Sequence, residues 1–373
     1  MQKKYTSLGL MSGTSGDGVD ASLIISDGEN EYESIKDKYF EYDSNIFKNI
    51  HLLKEKINSI QDLQTYSSDL KNLERDITIF HAKIIKEFNI KNHDYLIGFH
   101  GQTIYHNPEE KISYQLGDGH LLFQLVRKKI IYNFRKNDLL NGGQGAPLTP
   151  IFHQLLIKQK KIDTPVCILN IGGISNITVI NKNKYLEILL SKDIGPGNCL
   201  IDNWIRKYSK NKYDRNGELA SSGQINEIVL EQAQQLYLNR INKKKLSYDT
   251  NDFDISFARG LSLEDGARTL SEFTAYIIGN EITDNFSNLK EKINNILLCG
   301  GGRKNFFLVN EIKKKMNTNI NLKNIDDYKI DGDFIESQAF AYLAIRSFTK
   351  LPITFPNTTG CKKVCTGGEI IDD

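Results

Sequence analysis

No apolar run in the chain approaches the ~18 residues that span a bilayer. The N-terminal apolar stretch is broken by Ser12, Gly13 and Thr14, which makes it a poor secretory leader. Cysteine is scarce and odd in number, five in all, with no CxxC pair, and Cys361 and Cys365 have three residues between them. That usage argues against a disulfide framework or a zinc site and for reduced thiols in the cytoplasm. An excess of one charge is also missing: 48 basic against 46 acidic side chains leave a net charge of +2. No whole-chain case for a nucleic-acid or membrane partner follows. The lysine-rich stretches at Lys158–Lys161 and Lys243–Lys245 read as solvated faces. There is no HExxH, so His100 and His106 gain no support as metal ligands. No GK[ST] triplet occurs, which excludes a P-loop, and Asn305 stands where a dinucleotide-binding fingerprint starting at Gly300 needs its third glycine.

What is present is ordinary soluble-protein composition, 39% hydrophobic and 25% charged, in 373 residues, a length that favours two domains. The N-terminus reads as strand, glycine turn, strand (Tyr5–Met11, Ser12–Gly18, Val19–Ile25), with a third alternating run over Tyr32–Tyr42. Apolar residues recur at helical spacing from Ile60 to Asn89. Strands are expected around Gly98–Thr103 and Ile112–Gly117, and Asp118 can cap a helix. Gly142, Gly143, Gly145 and Pro147 suggest a domain crossing. Beyond it Val166–Ile171, the turn Gly172–Asn176 and Ile177–Ile180 repeat the first device, a sign of internal duplication. Further helices are expected at Asn198–Ser209, Ile225–Leu238, Leu263–Phe286, Lys304–Met316 and Ile335–Phe348, with a buried strand at Asn295–Cys299.

Backbone N–H groups in Gly/Ser/Thr turns converge on anions because no side chain blocks the approach. The turn Gly13-Thr14-Ser15-Gly16-Asp17-Gly18 fits that role, and Asp17 and Asp20 can meet a hydrated Mg²⁺. Gly172-Gly173 is a weaker instance, and Gly300-Gly301-Gly302 after a buried strand suits a phosphate or a nucleotide face. Asp193 follows a strand-like run, Tyr185–Leu190, and begins Asp193-Ile194-Gly195-Pro196-Gly197-Asn198 before a helix. A carboxylate at such a corner can take a proton from water or a hydroxyl. His100, Gln102 and Thr103 cluster hydrogen-bonding groups at a strand end, Asn133-Phe134-Arg135 looks ligand-facing, and Glu336 opens an otherwise small and apolar helix.

Together and in order, these segments resemble the anhydro-N-acetylmuramic acid kinase family. The resemblance rests on Gly9–Ser15 through Asp17–Asp20, His100–Thr103 with His106, Phe134-Arg135 with Asp138, and Gly142–Leu148. It continues through Asn170–Ile174 with Asn176, Gly195–Asn198, Gly300–Gly302 with Asn305, Glu336 and Ala339–Ala341. It implies an α/β, two-domain actin-like ATPase fold, a duplicated ribonuclease H-like unit, with ATP in the interdomain cleft. The domains would be residues 1–135 with about 349–373, and residues 136–348. The implied reaction opens the 1,6-anhydro ring of anhydro-N-acetylmuramate with water while phosphorylating O6 from ATP, a step of peptidoglycan recycling. Carried residue by residue, Asp193 is the general base. The ATP contacts are Gly13, Thr14, Ser15, Gly16, Asp17, Gly18, Val19, Asp20, Gly172, Gly173, Gly300, Gly301, Gly302 and Asn305. His100, Gln102, Arg135, Asn176 and Glu336 would touch the sugar, Asp17 and Asp20 would hold Mg²⁺ through water, and the chain would be a cytoplasmic homodimer.

Three positions depart from the family pattern. Gly16 replaces the usual leucine, Lys244-Lys245-Leu246-Ser247 replaces a Pro-Pro-Lys-Ser pattern although Asp249, Asp252 and Phe253 remain, and Cys361 replaces alanine. Two rival readings stand beside the first: another sugar kinase of the same superfold acting on an ordinary hydroxyl, and a non-catalytic ATP-binding module.

Overall fold

The computed structural model describes residues 3–91, 94–182, 186–240, 246–316 and 320–372; the lysines at 243–245 and the start of the Tyr185–Leu190 run fall outside them. Two compact units form, Met1–Ile162 with Phe334–Asp373, and Asp163–Asp333.

The first unit carries β1 (Tyr5–Ser12), β2 (Gly18–Ser26), β3 (Tyr32–Glu41), β4 (Leu96–Asn107), β5 (Ile112–Leu116), β6 (Lys129–Tyr132) and the C-terminal β12 (Glu369–Ile371). Its sheet runs β3-β2-β1-β4-β6-β12, with β5 a hairpin on β4. β1 pairs antiparallel with β2 and β2 with β3, whereas β1–β4 and β4–β6 are parallel. Period-two alternation sends Leu8, Leu10, Val19 and Ala21 into a core with Ile50, Ile77, Ile97 and Phe99. The other face of β1 and β4 is bare at Gly9 and Gly98, where an added Cβ would lie 2.0 Å from the Ser337 carbonyl oxygen and 2.3 Å from that of Phe340. These glycines let the helix Ile335–Phe348 lie directly on the sheet.

That close approach moves the domain limits away from those read in the sequence. The helix Ile335–Phe348 belongs to the first unit, so the chain returns at 333/334 instead of 348/349. The outgoing crossing falls after Ile162 instead of after 135. The helix Pro150–Gln159 stays with the first unit, because Gln159 Nε2 donates to the Tyr32 carbonyl (2.7 Å) and Phe152 packs on Tyr32 and Tyr342. The glycine-rich segment near Pro147 is therefore a loop within one unit. The helical stretch from Ile60 is two helices, Ile60–Thr65 and Ser67–Phe88, separated at Tyr66.

The second unit carries β7 (Val166–Ile171), β8 (Ile174–Lys182), β9 (Leu186–Pro196), β10 (Asn295–Cys299) and β11 (Asn321–Asn324), in the order β9-β8-β7-β10-β11. β7–β8 and β8–β9 are antiparallel, β7–β10 and β10–β11 parallel. Third-second-first-fourth-fifth, with the same strand senses, is the pattern of β3-β2-β1-β4-β6 as well. The two sheets are thus one topology used twice: the duplicated ribonuclease H-like fold of actin-like ATPases. Leu169, Ile171, Ile177 and Val179 form the second core with Trp204, Leu270 and Ile278 from the helices Cys199–Tyr208 and Leu263–Ser287, and Trp204 Nε1 donates to the Leu263 carbonyl (2.9 Å).

Candidate active site

In the first unit the β1–β2 turn is tied down from three directions. Gly16 N–H closes it on the Gly13 carbonyl (3.1 Å), Lys54 Nζ donates to the Thr14 carbonyl (2.7 Å), and Gln102 Nε2 from β4 donates to the Gly13 carbonyl (3.0 Å). Gln102 Oε1 lies 2.5 Å from the Ser12 hydroxyl, which also accepts from Tyr42 (3.0 Å). Gln102 therefore shapes the turn from behind. Val19 points into the core, leaving only its backbone to a ligand. Ser15 Oγ donates to Asp17 Oδ1 (2.6 Å).

Gly16 has φ +64°, the left-handed region, and is buried; a Cβ there would approach Ile50 Cγ2 to 2.8 Å. The departure from leucine at this position goes with a turn that a side chain would strain. Asp20 stands opposite Met11 on β1 and Tyr39 on β3. Burial first, and then the carboxylates Asp17, Glu41 and Asp20, raise the Tyr39 phenol above its usual value, so its hydroxyl keeps its proton near the turn.

His100 and Arg135 form a second group in the same unit. Arg135 Nη2 lies 2.9 Å from His100 Nε2, and His100 Nδ1 lies 2.8 Å from the Gly101 carbonyl. A guanidinium only donates, so Nε2 accepts, and Nδ1 carries the proton and donates to Gly101. Burial, reinforced by the Arg135 charge, holds His100 well below the usual imidazole range and keeps the ring neutral. Arg135 Nη1 donates to the Gly145 carbonyl (2.8 Å). The loop bearing Gly145 is held by the buried Asp138, whose Oδ2 accepts from Gly145 N–H (2.7 Å) and whose Oδ1 accepts from Thr359 Oγ1 (2.6 Å). Glu336 occupies the first turn of the helix Ile335–Phe348 and is half-buried.

In the second unit, one row of directly opposed residues crosses the sheet: Cys299 on β10, Asn170 on β7, Asn176 on β8 and Asp193 on β9. Opposed residues share a face, so three polar side chains are aligned on it. A bulge makes the last pairing, because the register passes from Ser175↔Gly195 to Asn176↔Asp193 and leaves Ile194 extra on β9. Asp193 therefore lies inside a strand rather than at the corner after one; Ile194 packs in the core while Asp193 takes the opposing face. Asp193 is 6% exposed; its Oδ2 accepts from Tyr248 N–H (2.8 Å) and its own N–H donates to the Leu246 carbonyl (2.8 Å). The Gly172 and Gly173 carbonyls accept from Asn198 (2.8 Å) and Gly197 (2.9 Å), fixing the end of β9 against the turn.

The glycine triplet does not open an α-helix directly. Gly301–Lys304 is a 3₁₀ turn, and the helix Phe306–Lys315 starts after Asn305, whose Oδ1 caps it by accepting from Leu308 N–H (3.0 Å). Gly300 has φ +77°, and a Cβ there would lie 2.2 Å from Asn170 Oδ1; Gly302 abuts Ile171 in the same way. Gly301 faces open space, with no atom of the described residues within 4 Å of an added Cβ. Buried Arg303 anchors the turn by paired bonds to Asp326 (2.7 and 2.9 Å) and one to Asp333 (2.5 Å).

Within the first unit the structure thus gathers the Gly13–Gly18 turn with Gln102, and His100 with Arg135; within the second it gathers Asp193 with Asn176, and Gly300 with the Gly172 turn through Asn170. Sequence reasoning assigned no role to Asn170, Tyr39, Lys54, Asp138 or Tyr248. Asn170 and Asp138 belong to the motifs that carry the family resemblance, and a lone asparagine in the apolar run Val166–Ile171 marks Asn170 a second time. Tyr39, Lys54 and Tyr248 become neighbours of the site only through long-range pairing.

Among the described residues no helix is long and apolar enough to cross a membrane. A family model described as anhydro-N-acetylmuramic acid kinase matches residues 5–373. The chain is 58% identical over 375 residues to the anhydro-N-acetylmuramic acid kinase of Pelagibacter ubique, covering 100% of this chain and 99% of that one. It is 36% identical over 369 residues to that of Brucella canis, 97% of each chain. Among solved structures, an activator of the 2-hydroxyisocaproyl-CoA dehydratase from Clostridium difficile with bound ADPNP aligns with a TM-score of 0.42 and 11% identity over 92% of this chain and 96% of that one.

Proposed function

The chain belongs to the anhydro-N-acetylmuramic acid kinase family and is a kinase that acts on a sugar, and on that premise we propose that Asp193 is its general base. In this reading Asp193 removes a proton from the water that attacks the anomeric carbon of 1,6-anhydro-N-acetylmuramate. As the C1–O6 bond breaks, O6 attacks the γ-phosphorus of ATP, and the products are N-acetylmuramate 6-phosphate and ADP. The observation that carries it is the aligned, nearly buried carboxylate: Asp193 is turned by a bulge onto one face beside Asn176 and fixed by the Tyr248 amide. A base held in one orientation loses little entropy at the moment of proton transfer.

Nucleotide phosphates are assigned to the Gly13–Gly18 turn, with Asp20, in the first unit and to the Gly172–Gly173 and Gly300–Gly302 turns in the second, on the general ground that backbone N–H groups of glycine turns stabilise developing charge; the N–H groups of Gly16, Gly172 and Gly300 already donate within the protein. The open space over Gly301 supports this. Asn305 acts there as the cap that sets the triplet's geometry. Asp17 on the turn, already oriented by Ser15, and Asp20 on the strand that follows it are carboxylates of the kind that suit magnesium. Asp17 and Asp20 would hold it through water, and it would neutralise phosphate charge. Arg135, His100, Asn176 and Glu336 are assigned to the sugar, with Gln102 acting through the turn it braces. The reaction consumes ATP and a sugar, which fits a cytoplasmic enzyme; a homodimer rests on the family resemblance, and light scattering after size exclusion tests it.

The deciding experiment incubates the protein with Mg-ATP and the anhydro sugar in ¹⁸O-labelled water and reads the product by mass spectrometry. A product with one added phosphoryl group and one labelled oxygen, absent with Asp193→Asn, is expected. A phosphorylated product without label would mean transfer to an ordinary hydroxyl, and intact ATP binding without any product would mean a binding module.

A further inference from the structure

We propose that Asp138, Cys361 and Cys365 form a binding site for a thiophilic divalent cation of the zinc class. One ligand atom from each lies within 4.8 Å of the others, and all three residues are buried. Tetrahedral zinc binds thiolate at ~2.3 Å and carboxylate at ~2.0–2.2 Å, which puts neighbouring ligand atoms roughly 3.3–3.9 Å apart. From separations of at most 4.8 Å, a contraction of no more than about 1–1.5 Å reaches that geometry. The three residues between the cysteines fall within the ligand spacing that zinc sites use.

The backbone already holds the three donors. Cys365 pairs with Thr354 in an isolated antiparallel bridge, with Cys365 N–H donating to the Thr354 carbonyl (3.0 Å). Cys361 follows the short helix Pro356–Thr359, which ends at Gly360 in the left-handed conformation. The carboxylate of Asp138 is oriented by Gly145 N–H and the Thr359 hydroxyl, the kind of outer-shell support that metal-ligating carboxylates carry. Each of its oxygens retains a second lone pair for a cation. The fully buried Thr354 hydroxyl, 4.0 Å from Cys361 Sγ, stands on a further side of the cluster.

The charge balance also favours a cation. Two thiols and a carboxylate share a buried space, while Lys362 and Lys363 beside them are exposed. A divalent ion replaces the two thiol protons, which leave to solvent, and converts the thiols to thiolates without accumulating charge. The ion would join the segment 354–365 to the loop 141–145, already linked by Gln144 N–H to the Thr359 carbonyl (2.8 Å) and Lys362 N–H to the Asn141 carbonyl (3.1 Å). Because Gly145 also receives Arg135, this cross-link would stiffen the support of that arginine.

The test uses the full chain, reduced with a phosphine and stripped with a chelator, then titrated with Cd²⁺. The expected result is a thiolate-to-cadmium charge-transfer absorption that saturates at an equimolar ratio, accompanied by a rise in Tm. The band is lost in Cys361→Ala/Cys365→Ser and weakened in Cys361→Ala alone, a single variant that keeps the proposal testable should the double one fail to fold. Absence of the band in the wild-type chain overturns the proposal. So does a band undiminished in the double variant, which would place the metal at Cys167, Cys199 or Cys299.

Discussion

Asn176 lies directly across the β8–β9 ladder from Asp193, and its amide oxygen is buried without a hydrogen-bond partner among the described residues. Buried acceptors are nearly always satisfied, so an orphan beside the proposed base calls for a donor from a ligand. Replacing Asn176 by alanine should raise the KM for the sugar about 10-fold to 100-fold, the worth of one hydrogen bond of ~1.4–3 kcal/mol in a closed site. The apo protein should keep its Tm, because the lost side chain leaves no stabilising bond of that oxygen behind. An unchanged KM with a lowered Tm would make Asn176 a packing residue.

Adjacent glycines of the triplet should separate ligand binding from folding. Gly301→Ala adds a methyl group into open space and should shift stability by no more than ~0.5 kcal/mol, while raising the KM for ATP about tenfold. Gly302→Ala drives a methyl group to 2.2 Å from Ile171 Cγ2 and should cost about 1–3 kcal/mol in urea unfolding. If Gly301→Ala leaves ATP affinity untouched, the triplet is a structural turn and the phosphate assignment there fails.

Three histidines of the first unit make it sensitive to acid. Burial lowers His81 to about 4 and His153 to about 3, and holds His100 well below the usual range. The unfolded chain binds these protons near pH 6.5 and the folded one does not, so the stability they confer is full above that pH and falls as pH drops toward the folded values. Each should remove about 1 kcal/mol between pH 6.5 and 5.5, since a full unit of linkage is ~1.4 kcal/mol. Calorimetry should show the first unit's transition falling over this window, and less steeply in His81→Phe, where phenylalanine keeps the edge-on contact with Phe99. Equal slopes for wild type and variant would show that His81 does not titrate on unfolding.

Much of this was legible in the chain itself. Val166–Ile171 and Asn295–Cys299 are strands with the limits that their apolar runs mark, and Ile335–Phe348 is the helix that its periodicity marks. Short β6, β11 and β12 were not seen, because four or fewer residues carry no period and are stabilised by the neighbour they pair with. The resemblance and the glycine-rich surroundings single out Asp193 as a candidate at a corner, since Gly195 and Pro196 look like the end of a strand that in fact runs through them.

The sequence by itself determined the family, the glycine turns and the identity of the carboxylates, because backbone freedom and side-chain chemistry are local properties. Only the tertiary structure decided the row Asn170–Asn176–Asp193, the His100 tautomer and the gathering of Asp138 with Cys361 and Cys365. Each depends on strand register or on segments far apart in the chain, set by how whole faces bury, and no short window of residues encodes that.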